Sequence, residues 1–325
     1  MNKPRNAVTL MISTLLLWTS ATTAETIFLA TGTGIDAGTT PPETLYSVDT
    51  DSCAVTTIGA MGTSITAMDF DPAGQLFGII ATDFTPPYTY YQIDTSTGAA
   101  SAVLDLADAA GGPDVGNFPD MTFQGSSLFA WTENSDDLTS IDTATGVVTV
   151  LGDSTLDSAG SGTAADSAGT IWTIPCSGCG DGVRSQRENR SEDQTQGGGG
   201  PDDGLYTINP ATGAATFVVQ VTGEDTGSTI NAMDFAADDT LWAIEGGFCF
   251  AVDCPTRLVT IDTTSGAINE VCTQAQIPVG IDAMAVQGNL LPPPPAVPAM
   301  NQWMLLALGL MLVSVAGFAG WRSHQ

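Results

Sequence analysis

The stretch Leu138-Thr139-Ser140-Ile141-Asp142-Thr143-Ala144-Thr145-Gly146-Val147-Val148-Thr149-Val150 holds two alternating apolar–polar runs separated by an Asp…Thr-Gly turn. Alternation with a period of two predicts strands with one buried face, and the short gap between them makes a hairpin. The Asp accepts hydrogen bonds from the turn amides, while Gly takes the left-handed position that closes the loop. This hairpin recurs along the chain. Leu45–Asp49, Tyr90–Asp94, Leu205–Asn209 and Leu258–Asp262 repeat its first strand, and Gly98, Gly213 and Gly266 repeat its glycine. The first copy has Cys53 where the others have Gly, so its turn is expected to differ or to be strained.

A second element lies between the hairpins. Met68-Asp69-Phe70 leads through Asp71-Pro72-Ala73-Gly74 to Leu76–Ile79. The pattern returns from Met121 to Trp131 and from Met233 to Ile244, with a degenerate copy from Gly162 to Ile174. The last copy, Ile281–Val286, has no partner strand after it, and Thr26–Ala30 at the other end is the expected partner. In-phase units 45 to 67 residues apart predict an all-β fold: a β-propeller of five four-stranded blades, closed by the N-terminal strand so that no edge stays open. A solenoid would need capping repeats, and a β-sandwich is the alternative fold. The widest gap comes from an insert over 175–204, polar and without alternation, which reads as a solvated loop in the propeller body of 25–290.

The two ends have a different character. Residues 1–24 read as a secretory signal, with Lys3 and Arg5 before an apolar run from Leu10 to Trp18 and small residues up to Ala24. Residues 303–321, from Trp303 to Trp321, carry no charge. At ~1.5 Å per residue that length spans a bilayer core as a helix. Arg322 follows in a short basic end, 322–325, which places the body outside the cytoplasm. The linker and sorting segment 291–302 begins with a stiff run of prolines, Pro292–Pro295.

Val297-Pro298-Ala299-Met300-Asn301-Gln302-Trp303, followed by an apolar helix and Arg322, resembles the IPTL-CTERM sorting domain of Gram-negative bacteria. It departs from that family at Met300, Met304 and the single Arg322. The resemblance implies export, tethering in the inner membrane and recognition by an exosortase-like sorting enzyme, with possible release to the cell surface. The repeats are similar to those of bacterial extracellular propellers that read Leu-Tyr-x-Ile-Asp-x-x-Thr-Gly, which implies a fold and leaves the ligand unknown.

Composition narrows the chemistry. The chain carries 36 acidic residues against 7 basic ones, a formal net charge of -29. That balance excludes nucleic-acid binding through phosphate contacts. The only histidine, His324, lies beyond the helix, so the body has no Ser-His-Asp triad, Cys-His pair or HExxH site. Six cysteines outside the cytoplasm favour disulfides, with 15 pairings open. Cys249 with Cys254 is the simplest bridge, Cys272 is a rival partner for Cys254, and Cys176 with Cys179 can close locally. The alternatives are a four-thiolate zinc site and a redox Cys-x-x-Cys. Asp49 with Asp51 and Asp69 with Asp71 put carboxylates two apart, a spacing that suits calcium or plain turn capping. Two functions stay open: an exported binding or extracellular structural propeller, or a calcium-dependent hydrolase or lactonase. The second would use the channel carboxylates Asp69, Asp120, Asp234 and Asp282, as gluconolactonase-type propellers do.

Overall fold

The computed structural model describes residues 25–32, 43–80, 88–108, 118–132, 137–156, 161–175, 204–223, 228–247 and 256–288. The expectations for the signal segment, the linker, the sorting motif and the apolar helix lie outside them, as does the insert apart from its end residues Pro175 and Gly204, which belong to strands. Every regular element among the described residues is a β-strand.

The strands form antiparallel meanders. One contains β1 (Thr26–Thr31), β2 (Thr44–Asp49) and β3 (Ala54–Ala60), with β20 (Ile281–Gln287) as its first strand, in the order β20-β1-β2-β3. The next is β4 (Ala67–Phe70), β5 (Leu76–Ile79), β6 (Tyr88–Ile93) and β7 (Ala100–Asp108). Then come β8 (Met121–Gln124), β9 (Ser127–Thr132), β10 (Asp137–Ile141) and β11 (Val147–Val150). These two meanders join edge to edge through parallel pairing of β7 with β11, giving an eight-stranded sheet. The remaining two are β12 (Ser161–Ala165), β13 (Ile171–Pro175), β14 (Gly204–Ile208) and β15 (Ala215–Gln220), then β16 (Ser228–Phe235), β17 (Leu241–Gly247), β18 (Thr256–Ile261) and β19 (Ile268–Cys272).

The first strands pack in a ring: β20 against β4, β4 against β8, β8 against β12, β12 against β16, and β16 against β20. Closure comes from the expected pairing of the two ends of the body, with Ile27 opposite Val286 and Leu29 opposite Met284. A ring of radial meanders sharing an axis is a β-propeller.

The inner strands alternate between neighbours. Met68, Met121, Met233 and Met284 hold equivalent places and point back into the core shared with the preceding meander. Each is at most 1% exposed. The unbranched thioether fills the irregular space between two twisted sheets.

The turn between third and fourth strands sets how closely meanders approach. Gly98, Gly146, Gly213 and Gly266 all have φ between 71° and 81°, as the Thr/Ser-Gly motif requires. They also need to lack a side chain, because a Cβ on Gly266 would lie 1.9 Å from Gln220 O of the preceding meander, and one on Gly146 2.3 Å from Asp105 O. Cys53 takes the same left-handed conformation, at φ 54°. Its seam is made differently: Cys53 is disulfide-bonded to Cys272 on β19, 219 residues away. The pairing of Cys272 with Cys254 is thereby corrected. Spacing pointed to a near partner, whereas ring closure brings the first turn onto the last strand. Cys176, Cys179, Cys249 and Cys254 lie outside the described residues.

Four of the outer strands carry a bulge at the same level, leaving Ile58, Val103, Val218 and Val271 unopposed. Bulges twist and interrupt an edge strand and discourage pairing with another chain.

Candidate functional site

The axis is where carboxylates from different meanders could cooperate. Asp69 lies on β4, Asp234 on β16, and Asp120 just before β8; they are 3%, 2% and 0% exposed. An inner strand has one edge without a ladder partner, so its N–H groups need other acceptors. The acids supply them. Asp69 Oδ1 accepts from Phe70 N (2.6 Å) and Oδ2 from Phe123 N on β8 (2.6 Å). Asp234 repeats the arrangement, with Oδ1 on Phe235 N (2.7 Å) and Oδ2 on Val286 N of β20 (2.7 Å). Asp120 Oδ1 accepts from Met121 N (2.9 Å), while its Oδ2 accepts from Thr163 N of β12 (2.7 Å) and Met233 N of β16 (3.1 Å). A single Asp120 carboxyl therefore links three meanders.

Burial, and next the charge of Asp234, push the Asp69 carboxyl well above the usual carboxylate range, although the N–H bonds of Phe123 and Phe70 oppose the shift. Burial raises Asp120 in the same direction, against the pull of its three N–H donors. Shifted acids are common at catalytic centres, but structural networks produce them too. Here the oxygens are already engaged by the backbone. Asp282, the fourth channel candidate, is half-buried near the start of β20 with its carboxylate against Gly32, where a Cβ would meet Oδ2 at 1.5 Å. Among the described residues no group of three or more His, Cys, Asp or Glu is spaced to hold a metal ion.

The acids paired by spacing separate in space. Asp69 is at the axis, whereas Asp71 lies beyond the end of β4 and caps its turn, with Oδ1 accepting from Ala73 N (2.9 Å) and Gln75 N (2.8 Å). Asp49 Oδ1 accepts from the Ser52 amide (2.9 Å) and hydroxyl (2.6 Å). Asp51 is exposed in the same turn. Asp94, Asp142 and Asp262 cap the corresponding turns. Hydrogen bonds within these turns hold Asp49, Asp94, Asp142 and Asp262 below the ordinary carboxylate range.

Sequence reasoning passed over Arg257, the only Lys or Arg among the described residues. Its guanidinium is buried against Glu245, with Nη2 2.7 Å and Nε 2.9 Å from Oε2. Nη2 also donates to Gly223 O of the preceding meander at 3.0 Å, and Nη1 reaches Glu270 at 3.4 Å. A lone cation on an apolar strand between two acids of neighbouring strands, Glu245 and Glu270, was the available signal.

Fold and axis together define a repeat protein of the β-propeller kind. A family model described as a repeat of unknown function (DUF6923) matches residues 34–185, the stretch that holds β2 to β13. No curated protein matches the chain. Among solved structures, TolB from Acinetobacter baumannii is similar at 14% identity and a TM-score of 0.41, over 77% of this chain and 53% of its own. The chain thus spans about half the length of that protein. A chain of the nidogen/laminin complex is similar at 9% identity and a TM-score of 0.45, over 81% of this chain and 98% of its own. A protein of unknown function from Bacteroides caccae is similar at 9% identity and a TM-score of 0.44, over 81% and 99%.

Proposed function

We propose that the chain is an exported five-bladed β-propeller with a binding or extracellular structural role, carried outside the membrane on its C-terminal segment. The observation that carries this reading is the Cys53–Cys272 bridge at the closing seam. Such bonds form and persist in oxidising compartments, which agrees with the signal-like residues 1–24. The structural half of the reading rests on the axis, where the carboxylates tie blades together through backbone N–H groups. Glu25 and Gly288 also lie side by side, with a Cβ on Gly288 3.3 Å from Glu25 Oε2. Both ends of the described body therefore leave from one face.

In this reading Val297, Pro298, Ala299, Met300, Trp303 and Arg322 form the sorting motif, and an exosortase-like enzyme is the processing partner. No described residue set favours the hydrolase or lactonase alternative. The test is fractionation of a Gram-negative host expressing the full chain, with thiol alkylation before and after reduction. The expected product has lost its first 24 residues, is exposed to protease in spheroplasts, and takes up label at Cys53 and Cys272 only after reduction. Full-length cytoplasmic protein with freely alkylated Cys53 and Cys272 would refute the proposal.

A further inference from the structure

The seam between the meanders β8–β11 and β12–β15 holds three buried polar atoms without hydrogen-bond partners: Thr122 Oγ1, Trp131 Nε1 and Thr163 Oγ1. Their residues are 1%, 0% and 0% exposed. Strand alternation turns all three toward this seam. Met121 belongs to the core shared with β4–β7, so Thr122 beside it faces the other way. Ala164 packs with Phe235 and Leu241 of the following meander, so Thr163 faces back toward β8. Trp131 belongs to the core cluster that includes Ile171 and Ile208 from across the seam.

Trp131 and Thr163 share a level along the axis, and Thr122 sits one pleat repeat further along β8, opposite Phe129. Trp131 N donates to Asp120 O (3.1 Å), which places the two residues opposite each other on adjacent strands. Thr122 is two residues from Asp120 on the same face, and Thr163 N donates to Asp120 Oδ2 from the opposite wall.

We infer that this seam is a built binding site for ordered water, held by Trp131 Nε1 and the hydroxyls of Thr122 and Thr163 beside the Asp120 carboxyl. The donor set selects the occupant. An indole N–H only donates, whereas a threonine hydroxyl both donates and accepts. The occupant must therefore accept from Trp131 and exchange hydrogen bonds with two hydroxyls. A bare metal ion cannot accept the indole proton, and an apolar molecule would leave all three atoms unpaired. Water meets the requirement, since a buried water typically makes about three hydrogen bonds to groups that otherwise lack partners. Asp120 joins three meanders at this level, so the water belongs to the hub that holds the ring in register.

Oxygen-17 magnetic relaxation dispersion on the full chain in detergent, paired with thermal unfolding, tests the site. The double variant Thr122→Val, Thr163→Val removes two hydroxyls at nearly constant shape. A water site predicts that the dispersion amplitude falls and that the melting temperature drops by about 2–4 °C. A dry seam predicts a higher melting temperature, because two unpaired buried hydroxyls have been removed, with the amplitude unchanged; that result overturns the proposal. Trp131→Phe gives a second reading should the double variant fold poorly. Its dispersion amplitude falls if the indole holds the water, and an unchanged amplitude overturns the site.

Discussion

At the residue scale, Asp69, Asp120 and Asp234 are buried acids used as backbone acceptors. Asp69→Asn is the sharpest probe, because an amide accepts on one atom only and turns its NH₂ toward either Phe70 N or Phe123 N. Leaving one such N–H unpaired costs about 1–3 kcal/mol. The pH dependence has a definite sign. The folded state holds the Asp69 proton more tightly than the unfolded chain. Its contribution to stability is therefore complete below an ordinary carboxylate pKa of about 3.9 and is lost as pH rises through the raised folded value. The variant should be less stable than the parent at pH 5, with the gap narrowing toward pH 8 in urea unfolding; a gap that widens would contradict this account. The sequence placed these acids at the axis from their position on the inner strands. It did not show what they accept, because Phe123 and Thr163 belong to other repeats and their N–H groups approach only when the ring forms.

At the scale of elements, the hairpins were legible because alternation and the Asp…Gly turn are local signals. The glycines were read as turn residues, and the structure adds that they let neighbouring sheets touch. The bulges were missed, although adjacent apolar pairs such as Val103-Leu104 and Val218-Val219 break the period of two and mark them. The disulfide was missed for a different reason: its partners are distant in sequence and meet through topology alone. Replacing both Cys53 and Cys272 by Ser should lower stability by about 2–5 kcal/mol. Urea unfolding of the oxidised parent against the variant measures the loss, and reduction should bring the parent to the same midpoint. Equal midpoints before reduction would show that the seam holds without the bond.

For the whole molecule, charge is the dominant bulk property. A formal charge of -29 on a chain whose only described cation is already committed to Glu245 and Glu270 leaves the surface carboxylates to repel one another. Salt screens that repulsion over a Debye length of about 10 Å at 0.1 M. The melting temperature of the full chain should therefore climb between low and high sodium chloride, and a flat profile would rule out self-repulsion as a limit on stability. Fold class and ring closure were visible because the repeat count left one inner strand without a mate and the N-terminus supplied it.

The pairing of β1 with β20 also governs assembly in time. Strand β1 meets β2 early, but its other neighbour, β20, exists only after nearly the whole body has been made, so the nascent ring stays ajar throughout synthesis. Joining of such distant segments is intrinsically slow, and chaperones that shield bare strand margins have their longest opportunity to act on this molecule just before its final turn of chain arrives.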